Sequence, residues 1–339
     1  MSNYHHPCSV VGERDKASRL LQTFLAIPPN FFSITMGLVG LAGVWQLTGK
    51  FHKWPVPISG TLYLVATIVY LLLLIASGSK LIFSWKTVVA DLTHPVLGPF
   101  NSLLPITGML LAFGLEPYSH QVALGLFLVF LVATLLLGGW MLSRWFVDSR
   151  DLDLFHSGYY LPTVAGGLIG SEGLARFGFV GAGWMCFGIG LITWLLLGSI
   201  ILNRLFTRPS LPKGLMPTMV IEIAPPALAG NAYLTLTGGN LNLLSYMFVG
   251  YTLLMILVQF CLLPSYRKLP FVVGFWSFTF PSAAATAYLI RWVHLAQPTG
   301  TAFLDLALLT VVTLLIGGLA LRSLVALRHG KFLPTVATV

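Results

Sequence analysis

Two stretches of this 339-residue chain place chemically demanding residues inside apolar surroundings. The first is Phe275-Trp-Ser-Phe-Thr-Phe-Pro281, followed by the small-residue run Ser282-Ala-Ala-Ala-Thr-Ala287. A proline within a helix removes one backbone hydrogen bond and bends the axis. In a lipid environment the freed carbonyl must be met by protein or by cavity water, so such a bend faces inward. The small residues beyond it let neighbouring backbones approach. Phe280, directly before Pro281, is then a bulky ring at an inward bend, placed to plug a passage. Phe278 is the competing ring if the helix is rotated, and Phe275 reads as packing. The second stretch is Met219-Val-Ile-Glu-Ile-Ala-Pro225, which buries a carboxylate at Glu222. At 1.5 Å per residue, Glu222 lies about 9 to 10 Å into its run. Such a carboxylate is a functional candidate by default. Glu222 and Pro226 are four residues apart and share a helix face. If that face lines a cavity, an ionised Glu222 repels anions, whereas a protonated one donates a hydrogen bond and offers a proton-coupling site. The plainer reading packs Glu222 between helices against a hydroxyl or a freed backbone group, and the two stand side by side.

The remaining polar groups carry less. Asp91 and His94 precede one apolar run and His156 precedes another, where they would tune ion access or sense pH. Loop histidines more often do neither. Glu172 and Arg176 are spaced for a surface ion pair of little energetic weight. Asp148, Asp151 and Asp153 form a solvated acidic face beside Arg144 and Arg150. Cys8, Cys186 and Cys261 lie far apart, and His5-His6 lacks a third ligand nearby, so no spacing marks a metal site or a disulfide framework. No nucleophile elbow, metalloprotease pair or phosphate loop is present, and no motif calls for an enzyme or a cofactor.

The elements that must position these residues follow from composition. Hydrophobic residues make up 56% of the chain and charged ones 9%, against about a quarter charged in soluble domains. The chain reads as an all-α polytopic membrane protein. Ten runs approach the roughly 20 residues needed to cross a bilayer: 26–46, 58–79, 99–115, 120–143, 158–176, 177–203, 215–237, 243–264, 270–293 and 300–327. The net charge of +9 is spread over loops, which argues for membrane orientation and against nucleic acid. Of the 19 Lys and Arg residues, Lys50, Lys53, Arg176 and Arg291 fall on one side, and all others on the opposite side with both termini. That asymmetry predicts cytoplasmic termini in an inner or plasma membrane. Residues 1–25 and 329–339 read as cytoplasmic tails, the former without signal-peptide features, and 26–328 as the transmembrane domain.

The runs alternate in texture. Even-numbered runs are uniformly aliphatic. Odd-numbered ones are rich in Gly, Ser, Thr and Ala, and they carry Pro105, Pro162, Pro225 with Pro226, and Pro281, spaced 57, 63 and 56 residues apart counting from Pro225. The first run has Thr35 where the pattern expects proline. Kinked helices with freed backbone groups belong around a cavity and aliphatic ones against lipid. The expectation is five helical hairpins, with an inner ring of kinked odd-numbered helices around a central pore.

The motifs Phe32-Ser-Ile-Thr-Met-Gly-Leu38, Leu104-Pro-Ile-Thr107, Tyr160-Leu-Pro-Thr-Val-Ala165, Ala224-Pro-Pro-Ala227 and Trp276-Ser-Phe-Thr-Phe-Pro281, in that order, resemble the tellurite-resistance/dicarboxylate transporter family. That family includes a bacterial anion channel and plant slow anion channels. The resemblance implies quasi-five-fold symmetry, a homotrimer with one pore per subunit, and a pore-occluding phenylalanine on the ninth helix, which the Trp-x-x-x-Phe pattern puts at Phe280. Glu222 departs from the bacterial channel, which has an apolar residue at that position. The expected function is passage of small monovalent anions such as chloride or nitrate through a narrow, mostly uncharged pore. The alternative is proton-coupled transport of a C4-dicarboxylate, sulfite or tellurite, with Glu222 carrying the proton.

Overall fold

The computed structural model describes residues 25–53 and 57–334. The expected tail over 1–25 therefore lies outside the described residues except for Leu25, as do Trp54 and residues 335–339. Among the described residues all regular structure is helical. The α-helices are α1 (Phe32–His52), α2 (Pro57–Phe83), α3 (Trp85–Thr93), α4 (Leu103–Leu115), α5 (His120–Val147), α6 (Gly166–Arg176), α7 (Val180–Thr207), α8 (Ala224–Leu236), α9 (Leu243–Tyr266), α10 (Thr279–Ala296) and α11 (Thr301–Arg328). Counting its lead-in turns where it has them, each of seven helical runs is long and apolar enough to cross a membrane. The runs ending in α6, α8 and α10, whose α segments have 11, 13 and 18 residues, are not among those seven.

Each of α1, α4, α6, α8 and α10 is entered through a tighter or wider turn: 3₁₀ segments at Pro29–Phe31, Gly98–Ser102, Met216–Ile223 and Val273–Phe278, and a 3₁₀ turn followed by a π segment over Ser157–Ala165. Pro105, Pro225, Pro226 and Pro281 sit in the first turn of the α segment, and Pro162 in the π segment. A first-turn proline loses little, because its N–H would have no intrahelical partner there. The sequence reading expected prolines to bend continuous helices; instead they mark junctions where the helix changes its winding. In three of the five runs hydroxyls bond back within the lead or the first turn. Ser33, Thr35, Thr218 and Thr279 each donate to the carbonyl three residues back, at 2.6 to 2.8 Å. Thr35, standing where a proline was expected, thus sits at the same kind of junction.

Contacts sort the helices into two sets. α1 touches α4, α4 touches α6, α6 touches α8, α8 touches α10, and α10 returns to α1. Each of α2, α5, α7, α9 and α11 packs against two consecutive members of that circuit. The second set is the exposed one: 22% to 33% of their apolar windows is buried, against 61% and 78% for the windows of α1 and α4. Close crossings need small residues. A Cβ on Gly37 would stand 2.0 Å from Thr279 Oγ1, and one on Gly40 2.9 Å from Ala283 Cβ, so these glycines let α1 lie directly on α10. α3 lies in what the sequence suggested was only a connection. It is too short to cross a membrane, and Lys80 holds it through a 2.8 Å ion pair with Asp91.

Candidate functional site

The five junction-led runs enclose two cavities. The smaller, about 30 Å³, is bordered by one or more residues of every run, among them Met36, Leu103, Val164, Pro225 and Pro281. The larger, about 310 Å³, is bordered by Gly40, Leu110, Glu172, Asn231 and Arg291, again one from each run. Leaving aside Leu228 and Phe280, which line both, the residues of each run at the smaller cavity come earlier in sequence than those at the larger. The five runs therefore point the same way, with their N-terminal ends at the smaller cavity.

Phe280 and Leu228 line both cavities. Phe280 is 8% exposed, and Gly40 makes room for its ring: a Cβ there would come within 3.2 Å of Phe280 Cδ2. Phe278 borders neither cavity. It stacks on Phe275 and meets Tyr266 edge-on, with ring centroids 5.8 and 4.9 Å apart. Of the prolines, Pro225 and Pro281 reach the smaller cavity, whereas Pro105, Pro162 and Pro226 do not.

Glu222 is buried on the 3₁₀ lead of α8 and turns toward the lead of α6. Its Oε1 accepts a hydrogen bond from Ser157 Oγ at 2.7 Å and its Oε2 one from the Tyr160 hydroxyl at 3.1 Å. It borders neither cavity. Both oxygens accept from hydroxyl donors on a neighbouring run, as a buried carboxylate requires.

The larger cavity carries charge that the sequence reading did not expect. Lys50, Arg176 and Arg291 line it together with Glu172. Glu172 pairs with Arg291 at 2.8 Å and Arg176 pairs with Glu116, so the expected Glu172–Arg176 pair is replaced by two longer-range ones. Lys50 and Arg176 lie in the last turns of α1 and α6, where a cation offsets the negative end of the helix dipole. Three cations against two carboxylates leave this end net positive. These are three of the four basic residues on the minority side of the charge count. The signal that would have singled out Arg291 was its place inside an apolar run, where a charge marks function by default.

His94 and His156 are caps, and His5 and His6 lie outside the described residues. His94 Nδ1 accepts from the backbone N–H of Val96 and Leu97, at 3.1 and 3.0 Å. His156 Nδ1 accepts from Gly158 N–H at 3.1 Å, and its Nε2 lies 3.1 Å from the Val96 carbonyl. Burial pushes the His156 imidazole down to about 4, with the nearby Arg204 charge adding to the effect. It is therefore neutral near pH 7. Of the acidic loop residues, Asp148 pairs with Arg144 at 2.9 Å, and Asp151 caps its own turn through Asp153 N–H.

A family model described as voltage-dependent anion channel, SLAC1, matches residues 26–324. The chain is 27% identical over 307 residues to the tellurite resistance protein TehA homolog of Haemophilus influenzae, covering 90% of this chain and 92% of that one. It is 24% identical over 321 residues to the S-type anion channel SLAH3 of Arabidopsis thaliana, covering 89% of this chain but 48% of the plant protein. With the guard cell S-type anion channel SLAC1 of the same plant it shares 23% identity over 285 residues, 80% of this chain and 50% of that one. The chain thus spans about half the length of these plant relatives. Apolar helices of membrane-crossing length and a family match that runs through all five junction-led runs agree: the chain is a multi-pass membrane protein of the SLAC1/TehA family.

Proposed function

We propose that this chain conducts small monovalent anions, chloride- or nitrate-like, along the axis enclosed by α1, α4, α6, α8 and α10, with Phe280 as the gate. One observation carries the reading: among the described residues Phe280 and Leu228 are the two side chains that border both cavities, so a path joining them must displace the larger ring. Electrostatics support an anion. Five helix runs aim their N-terminal ends at the smaller cavity, each end carrying about half a positive charge in the dipole picture. The C-terminal ends at the larger cavity are offset by Lys50, Arg176 and Arg291. The potential is then favourable to an anion at both ends without a cation in the narrow part, which suits fast release.

In this reading the ten runs are ten crossings, arranged as five hairpins with quasi-five-fold symmetry. The N- and C-terminal tails lie in the cytoplasm, and three chains assemble, each with its own pathway; the trimer is carried over from the family resemblance alone. The rival reading, proton-coupled transport of an organic acid or oxyanion through Glu222, is disfavoured because that carboxylate turns to Ser157 and Tyr160 instead of a cavity.

The test is the reversal potential of purified protein in a planar bilayer, first under a chloride gradient and then with a pH gradient added. Passive conduction predicts reversal set by chloride and unmoved by pH. A reversal that tracks the proton gradient would replace this reading with the coupled one.

A further inference from the structure

We propose that His52, His294 and Asp305 form a binding site for a divalent metal ion of the Zn²⁺ type. His52 lies in the last turn of α1 and His294 in the last turn of α10, and Asp305 is the fifth residue of α11. Asp305 is fully buried. Its Oδ2 lies 2.9 Å from Nε2 of His52 and 2.5 Å from Nε2 of His294. One ligand atom from each residue lies within 4.8 Å of the other two. Phe51 stacks on the His294 ring with centroids 3.8 Å apart, which fixes the plane of that imidazole.

Two features go beyond what a hydrogen-bonded trio requires. Both imidazole nitrogens converge on the same carboxylate oxygen, while Oδ1 of Asp305 is buried with no hydrogen-bond partner among the described residues. Donors serving a carboxylate for stability alone would be shared between its oxygens, because a buried acceptor without a donor is costly. An ion held among the three side chains takes a lone pair from each imidazole, neutralises the carboxylate and gives Oδ1 a counter-charge.

The donor set selects the ion. Two imidazoles and one carboxylate suit Zn²⁺ and its neighbours in the first transition row, at about 2.0 to 2.2 Å from each ligand. Ca²⁺ requires six to eight oxygens and Mg²⁺ an octahedron of them. Three protein ligands leave an open position on Zn²⁺. His294 also borders a cavity of about 440 Å³ together with Thr235 and Arg291, both of which line the larger cavity of the candidate site. The ion would therefore stand beside the cation-lined end of that site. It would tie together the ends of α1 and α10, the two helices that carry Gly40 and Phe280. The proposal stands independently of the conduction reading, since it rests on ligand geometry alone.

The experiment is titration of the purified, tag-free full chain with Zn²⁺ by calorimetry and with Co²⁺ by visible absorption. The expected result is one ion per chain, a Co²⁺ spectrum of a four- or five-coordinate nitrogen–oxygen site, and no competition from excess Mg²⁺. His52→Gln and His294→Gln each weaken binding at least about 100-fold, since even an outer-shell partner accounts for 10- to 100-fold. Both histidines are partly exposed, so these variants are expected to fold. Absence of saturable Zn²⁺ binding overturns the proposal. So does wild-type affinity in both variants, which would assign the ion to other histidines.

Discussion

Replacing Phe280 by alanine separates a gate from an ordinary core ring. In the structure the ring is 8% exposed, packs beside Gly40, and stands where the two cavities meet. If Phe280 is the gate, the ring must leave this packing for an anion to pass. Burying a phenylalanine side chain is worth about 1.5 to 3 kcal/mol, and that is the cost of swinging it out. At about 1.4 kcal/mol per tenfold, the wild-type passage is open roughly one part in 10 to one part in 100. Phe280→Ala removes the ring and with it that penalty, so chloride flux should rise about 10- to 100-fold. The substitution costs stability, but less than the roughly 3 to 5 kcal/mol of a fully enclosed Phe→Ala change, because the ring already borders open space on two sides. The assay is chloride efflux from proteoliposomes at equal protein incorporation, with the thermal midpoint in detergent as the folding control. Phe278→Ala serves as comparison, since its ring packs on Phe275 and Tyr266 and borders neither cavity, and it should leave flux unchanged. Wild-type flux from a folded Phe280→Ala protein would refute the argument. An equal rise in Phe278→Ala would show that flux responds to loosened packing and not to the loss of a ring from the path.

Three further outcomes follow from the same geometry. Lys50→Gln removes a cation from the larger cavity without stripping either Glu116 or Glu172 of its arginine. A unit charge about 4 Å from an ion in water contributes about 1 kcal/mol, so conductance at low salt should fall by up to about fivefold, and the difference should shrink as ionic strength rises. Glu222→Gln keeps an acceptor for Ser157 or Tyr160 and should leave reversal on the chloride gradient. Loss of transport against a gradient in that variant would mean that the carboxylate carries protons. His156 lies before the fifth apolar run, and its folded-state pKa is lowered to about 4, below an unfolded value of about 6.5. The unfolded chain therefore binds the proton first. The stabilisation is fully present above about pH 6.5 and is lost as pH falls toward 4, to a ceiling of about 3 kcal/mol at 1.36 kcal/mol per unit. Thermal midpoints measured across that window should fall more steeply for the wild type than for His156→Gln, and parallel slopes would rule out the assignment.

What the sequence made legible and what it hid divide along a physical line. Local signals read well: the runs carrying Pro105, Pro162, Pro225 and Pro281 do differ in burial and contacts from the aliphatic ones, because a proline and its hydroxyl-bearing neighbours alter winding wherever they fall. The choice of Phe280 over Phe278 also rested on a local fact, adjacency to Pro281, and the two rings do face different surroundings. Pairings across the fold were beyond reach. Glu172 has Arg176 one turn away yet binds Arg291, since at this end of the bundle a partner on another helix lies closer than the one on its own. The trio at His52, His294 and Asp305 comes from three helix ends far apart in the chain, so no spacing could announce it. The most instructive case is the charge count. Loop statistics treat every Lys and Arg as an orientation marker. Three of the four exceptions to that count, Lys50, Arg176 and Arg291, line the larger cavity, while Lys53 does not. In a bundle whose inner helices all point one way, the ends carrying negative dipole charge share one mouth, and an anion passes there only if that charge is offset. The minority side of the positive-inside count is therefore where a parallel inner ring must spend its few cations, and those residues are the first to examine when the permeant ion is negative.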